Sequence, residues 1–431
     1  MAAIDWLDGG LDAAFDLARA QRRPLFLYWG AAWCPPCNRV KAEIFARDEF
    51  IQRSRSVLCH QLDGDRAGAQ ALAARYKLRS YPTLVLFAPD GDEITRLPCE
   101  LDGELFVAAF DVALAVHQAG SSASSAMRAA LSGERALSAD EWSLLSHYSW
   151  DTDEGQLLGQ RELAATLSAL AGACTNADAA VRLRLHAQLA AGGADAAFLL
   201  EVFSDARLAR SNMDILGNSG INLIKIASRR EELIAALSGI AAQWADDFWL
   251  GAPDRLTAVR LQMRLARLLA PTQGLQEEVR QRVLEALAES TDPYERHTLV
   301  NTAVSALNDA GLSADAEQVL LAELARSHSP YYFMLSLAGG AKRRGDTAAV
   351  LEWYGKAWQA AVGPATRLQW GVTYLNSLIE LAPDDAARIA QATQDLQADI
   401  AAAGPDAYQQ RNLAQLQKLR GQVQNPAQAQ P

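Results

Sequence analysis

The alternation of strand-like and helix-like stretches over the first 118 residues limits the fold more than any other property of this chain. Apolar residues recur at helical spacing from Leu11 to Ala20. LFLYWG (Leu25–Gly30) is a short apolar and aromatic run of strand type. Cys34–Ala46 then reads as helix, Ser56–Asp63 as strand, Ala67–Tyr76 as helix and Thr83–Phe87 as strand. PDGD (Pro89–Asp92) centres an Asp-Gly turn, and EITRLP pairs back as a last strand. Asp102 is placed to N-cap a helix ending at Gln118, with Leu105, Phe106, Ala109, Phe110 and Ala113 on one face. The expected unit, residues 1–118, is α/β, with parallel strands first and an antiparallel pair last.

AGSSASSAMR (Ala119–Arg128) is small and polar, and residues 119–128 read as a flexible linker. Beyond it there is no strand run. Helical patterns rich in Ala and Leu follow one another, broken by Gly, Pro, Asn and Asp, so 129–421 is expected to be an all-α helical-repeat region. Gly311–Pro330 and Gly345–Pro364 each begin with Gly, end with Pro, and start 34 residues apart. That is the period of tetratricopeptide-like helix pairs, which must stack on neighbours to bury their apolar faces. The pairing is clearest over 297–380, with Tyr354 and Ala357 where such repeats carry an aromatic and a small residue. Tyr331, Tyr332, Phe333, Trp353, Tyr354, Trp358, Trp370 and Tyr374 have the spacing of helix–helix core; a concave peptide-binding surface is the alternative. The tail, 422–431, is expected to be disordered.

Composition excludes several roles. A net charge of −11 argues against nucleic acid or an anionic membrane as the main partner. No window approaches 18 consecutive apolar residues, so no membrane span is expected. The N-terminus lacks a basic leader, and five cysteines are too few and too unevenly spaced for a disulfide framework. A reducing, cytoplasmic setting is the expectation; a removed export signal would make it periplasmic.

Chemistry concentrates at Cys34-Pro-Pro-Cys37. A cysteine at a helix start faces unpaired amides and the positive end of the dipole, which favours its thiolate. A second cysteine three positions on lies one turn below, close enough to close a disulfide. In that arrangement the first thiol is exposed and attacks, and the second resolves the mixed disulfide. Pro35 and Pro36 suit a first turn, where missing N–H groups cost nothing. Zinc would need a second pair of cysteines or histidines, and none is present, so no metal is expected.

WGAAWCPPC followed by LRSYPTLVLF resembles the thioredoxin family, over roughly residues 5–118. The resemblance implies that Cys34 is the nucleophile, that Cys37 resolves, and that Pro82 is a cis-proline flanked by Tyr81 and Thr83. It also implies that Trp33 and the Tyr81 backbone shape a substrate groove. The two-proline motif is similar to tryparedoxin-like proteins as well. Two departures stand out. Tyr28 occupies the position of a buried Asp that helps move protons in many thioredoxins, leaving Glu43 or water for that task. Cys99, in LPCEL, stands near the position of a Gly that flattens the substrate surface, either as a third thiol or as a small apolar residue. Thioredoxin followed by tetratricopeptide-like helices resembles the chaperone-linked thioredoxins in architecture only.

The expected function is a thiol–disulfide oxidoreductase acting on protein disulfides, with no cofactor beyond the Cys34–Cys37 disulfide. It would need an electron donor such as a thioredoxin reductase, and the helical region would recruit a chaperone or other protein. The alternative is a co-chaperone or scaffold whose first domain is mainly a binding platform.

Overall fold

The computed structural model describes residues 3–269, 274–404, 407 and 410–424. Its first elements follow the expected order: α1 (Leu11–Gln21), β1 (Leu25–Gly30), α2 (Pro35–Arg39), α3 (Asp48–Ser54), β2 (Leu58–Asp63), α4 (Ala69–Arg75), β3 (Thr83–Phe87), β4 (Glu93–Leu97) and α5 (Gly103–Gln118). The strands form one sheet in the order β2-β1-β3-β4, and β3 and β4 are antiparallel with Leu84 opposite Leu97. All six residues of β1 are buried, which explains a continuous apolar run in place of alternation. Beneath it Phe26 meets Phe45, Phe50 and Phe110 edge-on, with ring centroids 6.2, 5.7 and 5.6 Å away. Such offset aromatic contacts add to the burial of large rings.

The helix expected over Cys34–Ala46 has two parts. After α2 it widens into π geometry over Val40–Phe45. Gly103, the first residue of α5, lies against this segment: a Cβ there would come within 2.6 Å of the Glu43 carbonyl oxygen. Asp102 caps α5 as expected, its carboxylate accepting from the amides of Glu104 and Leu105.

The stretch expected as a flexible linker is helical from Ala123. Ser122 and Ser125 form a reciprocal capping box that starts the helix Ala123–Ser132, and Ala123, Ala126, Met127 and Ala129 are buried. Serines that suit a linker also suit a helix cap, and the apolar positions behind them decide the outcome. Everything described beyond this point is helical or connecting. Of the tail, Gln410–Gln424 includes helix to residue 424, and 425–431 lie outside the described residues. Among the described residues no single helix is long and apolar enough to cross a membrane; a pair bent by 75°, Gly103–Gln118 and Ala123–Ser132, meets that test only jointly.

By backbone contacts the chain divides into two compact units. The first comprises Met1–Tyr28, Pro35–Gln61 and Arg79–Leu312; the second comprises Trp29–Cys34, Leu62–Leu78 and Ser313–Pro431. In the first, Arg96 on β4 is wholly buried, pairs with Glu93 at 3.0 Å and donates to the Thr152 carbonyl at 2.5 Å. The Tyr148 hydroxyl donates to Asp153 at 2.7 Å. In the second, the helices Ser313–Glu323 and Thr347–Ala360 start 34 residues apart, as do Pro330–Arg344 and Pro364–Leu381. The repeat in the sequence is therefore a repeat of helix starts, two of them set by a proline in the first turn. Trp358, Leu368, Tyr374, Leu375, Leu378 and Leu396 form a core there, which absorbs part of the aromatic cluster.

Candidate active site

The cysteine pair sits where β1 gives way to α2. Cys34 precedes the first helical residue, Pro35, and Cys37 lies within the helix. The Tyr81–Pro82 peptide is cis, directly ahead of β3. Thr83 is buried and its hydroxyl donates to the Ser80 carbonyl at 2.8 Å. Tyr81 is partly exposed.

Accessibility departs from expectation. Cys34 is 3% exposed, Cys37 0% and Trp33 9%. The expected exposed nucleophile beside an open groove is instead an enclosed thiol. In the second unit, the Trp33 indole N–H donates to the Thr366 hydroxyl at 2.9 Å. That hydroxyl donates in turn to Asp65 at 2.5 Å, and the Thr366 amide donates to the other Asp65 oxygen at 2.9 Å. Tyr332 stacks on the Trp33 ring at 5.8 Å, and Trp370 meets it edge-on at 5.1 Å. His328 Nε2 lies 3.2 Å from the Ala32 carbonyl oxygen and donates to it. Burial, with Cys34 nearby, pushes the Tyr332 hydroxyl up to about 12. Burial likewise raises Asp65, against the hydrogen bonds from Thr366. Gly363 makes the close approach possible. With φ at +90°, its Cβ position lies 2.2 Å from the Asp65 carboxyl carbon, so no side chain fits there.

In the first unit the following residues are tied by charge. The Thr298 hydroxyl donates to the Pro35 carbonyl at 2.8 Å. Arg39 pairs with Glu43 at 2.8 Å and with Asp254 at 2.8 Å, all three side chains mostly buried. Burial, helped by Glu43, pushes Asp254 up to about 7, against the pull of Arg39. Glu43, named from sequence as a proton carrier, is thus engaged by Arg39 through one oxygen, while its other oxygen is buried without a hydrogen-bond partner. Tyr28 is buried, with its ring 5.1 Å from Phe45 and 6.2 Å from Trp6, which makes it a packing residue. Cys99 is buried and near enough to Cys37 to feel its charge; burial and Glu100 hold its thiol well above the usual range. It stays protonated at neutral pH and is a poor nucleophile. Cys59 is similar, pushed up to about 12 by burial. Among the described residues, no group of three or more His, Cys, Asp or Glu is placed to hold a metal.

Sequence reasoning named the cysteines, Pro82 and the aromatic cluster. It missed Asp65, Thr298, Thr366 and Asp254, which lie far from the motif in the chain and in no recognisable pattern. The one available signal was the aromatic cluster, two of whose members, Tyr332 and Trp370, cover Trp33.

Comparison with known proteins concerns the N-terminal part of the chain. A family profile described as a thioredoxin-like domain matches residues 11–113. The chain is 31% identical over 101 residues to the thiol:disulfide interchange protein DsbD of Pseudomonas fluorescens, covering 22% of this chain and 17% of that protein. It is 29% identical over 102 residues to the thiol:disulfide interchange protein DsbD 2 of Pseudomonas aeruginosa, covering 23% of this chain and again 17% of the relative. A solved structure described as a DsbH oxidoreductase aligns at 21% identity with a TM-score of 0.25, over 27% of this chain and 88% of that one. The N-terminal part of this chain is a thioredoxin-like domain, and a long all-helical region follows it.

Proposed function

We propose that Cys34 and Cys37 are a redox-active pair and that the protein is a thiol–disulfide oxidoreductase. The carrying observation is the Trp-Cys-Pro-Pro-Cys turn between β1 and α2, together with cis Tyr81–Pro82, in a domain similar to the thiol:disulfide interchange proteins. The Cys34 thiolate attacks one sulfur of a substrate disulfide, and the other sulfur leaves as a thiolate that takes up a proton. Cys37 then attacks Cys34, the second substrate thiol departs, and two electrons have passed to the substrate. An electron donor of the thioredoxin-reductase type would restore the dithiol. The helical region would recruit protein partners.

Burial of Cys34 favours a second reading. A folded protein disulfide does not reach an enclosed sulfur, so in this arrangement the domain acts on protein clients only as a platform, or after Trp33 is released. One experiment separates the two. A Cys37→Ser variant is expected to accumulate mixed disulfides through Cys34, and the wild type to reduce insulin. Absence of both, with biological activity retained in a Cys34→Ala/Cys37→Ala variant, would leave the platform reading.

A further inference from the structure

α2, which carries Cys37, is five residues long, too short to hold its own shape without packing. Beyond Arg39 the backbone leaves α geometry for the wider π turn of Val40–Phe45. Two helices from far along the chain, Ala252–Leu269 and Pro293–Asp309, grip α2 at its two ends, all within the first unit.

At the start of α2, the buried Thr298 hydroxyl donates to the Pro35 carbonyl at 2.8 Å. At its end, one guanidinium nitrogen of Arg39 reaches both oxygens of the buried Asp254 carboxylate, at 2.8 and 3.1 Å. Gly251 lets the chain ahead of Asp254 come close, since a Cβ there would stand 3.1 Å from a Glu43 oxygen. The turn Gly251–Asp254 thus lies against both Arg39 and Glu43. The charged groups around Asp254 are Arg39 on α2, Glu43 on the π turn, Asp102 at the cap of α5, and Arg210. Arg210 pairs with Asp102 at 2.6 Å, which leaves Arg39 as the cation that Asp254 serves. The aromatic core beneath β1 is built without these groups, from Phe26, Phe45, Phe50 and Phe110.

We propose that Thr298 and Asp254 are positioning residues for Cys37, fixing the two ends of α2 so that the resolving thiol is held where it attacks. The inference rests on the redox function proposed above, and it gives the helical region a part in the resolving step. In that step the Cys37 sulfur bonds to Cys34, the bond from Cys34 to the substrate sulfur breaks, and the substrate leaves as a thiolate. The Cys37 proton passes to the buffer, and no net electrons are gained or lost. Reactions between held groups lose efficiency steeply when one of them is misplaced, so loosening either end of α2 weakens the closure of the disulfide.

The test is an equilibrium, which does not depend on how fast a reagent reaches Cys34. The full chain, with the half-buried Cys174 replaced by Ser, is equilibrated with 2-mercaptoethanol and its disulfide, then quenched in acid. Mass spectrometry gives the ratio of Cys34–Cys37 disulfide to mixed disulfide at a fixed thiol concentration. That ratio is expected to fall at least tenfold in Thr298→Val and in Asp254→Ala. Both should fold: Val keeps the volume of Thr, and Asp254→Ala leaves Arg39 its bond to Glu43. Thr298→Ser, which restores the hydroxyl, should stay within twofold of wild type, as should Asp178→Asn, an exposed acid paired with Arg207. A merely structural role would lower stability and leave the ratio of the folded protein alone. An unchanged ratio in Thr298→Val and Asp254→Ala overturns the positioning role, and a fall in Thr298→Ser as large as in Thr298→Val overturns the part given to the hydroxyl. A wild-type chain that forms no Cys34–Cys37 disulfide overturns the redox function itself, and this inference with it.

Discussion

Trp33, in the second unit, is held by ring faces and by hydrogen bonds that converge on Thr366 and Asp65. Pro35–Arg39, in the first unit, are held by the Thr298 hydroxyl and by the buried set Arg39, Glu43 and Asp254. The two sets respond differently to damage. Rings and hydroxyls each contribute modest net stability and are separately removable. A buried charge set is costly to break, because removing one member strands the others in a poor solvent. Trp33, in the second unit, is thus fastened by contacts that open cheaply, and Pro35–Arg39, in the first, by contacts that do not.

The largest effect is therefore expected at Arg39. Arg39→Ala leaves Glu43 and Asp254 buried without their cation, and should cost about 3–5 kcal/mol of unfolding free energy by urea titration at pH 7. An Arg39→Ala protein no less stable than a Thr366→Val protein would erase the distinction between the two sides.

Thr366→Val comes next. It removes the acceptor for the Trp33 indole and one of the donors to Asp65. A cost of about 1–2 kcal/mol is expected, the range for losing a hydrogen bond with partners left buried. Its diagnostic readout is kinetic. If these contacts limit access to Cys34, the second-order rate of its alkylation by iodoacetamide should rise about tenfold, since ~1.4 kcal/mol of easier opening is a factor of ten. Tyr332→Ala should act in the same direction. An alkylation rate unchanged in both variants would mean that Cys34 becomes exposed by some other route.

Why the first domain was legible and its enclosure was not follows from range. LFLYWG, TLVLF and the Asp-Gly turn act through neighbours in the chain, and the structure returns β1 and β3 with the expected bounds. Cys34 and Cys37 stood out in the sequence by their spacing, and the cis Pro82 was expected from the family resemblance alone. The linker reading failed because Ser122 and Ser125 serve a cap as readily as a flexible segment. Enclosure of Trp33 depends on Tyr332, Thr366 and Trp370, some 300 residues away, and helical spacing alone placed them as ordinary core. Core and cover use the same residue types, so pattern cannot separate them without tertiary contacts.

The smallest expected effect sharpens the comparison through pH. The first unit buries neutral imidazole: burial, with Arg182 close by, lowers His147 to about 4, while its Nδ1 donates to the Ser143 carbonyl. Asp214 pulls the other way, and His186, itself lowered to about 3 by burial, lies in the same set of groups. An unfolded histidine titrates near 6.5. As pH falls through that value the unfolded chain takes up a proton that folded His147 refuses until about pH 4, so stability declines across that window and no further below it. Between pH 7 and pH 5 the loss from this residue is on the order of 1 kcal/mol. His147→Gln keeps a donor for Ser143 and cannot titrate, so its unfolding free energy should fall less steeply over that interval. The ring contacts that Tyr332 makes with Trp33 involve no group that titrates between pH 7 and pH 5, so Tyr332→Ala should shift the stability curve down over that interval without changing its slope. Equal flattening in both variants would mean that the pH sensitivity is not lodged at His147.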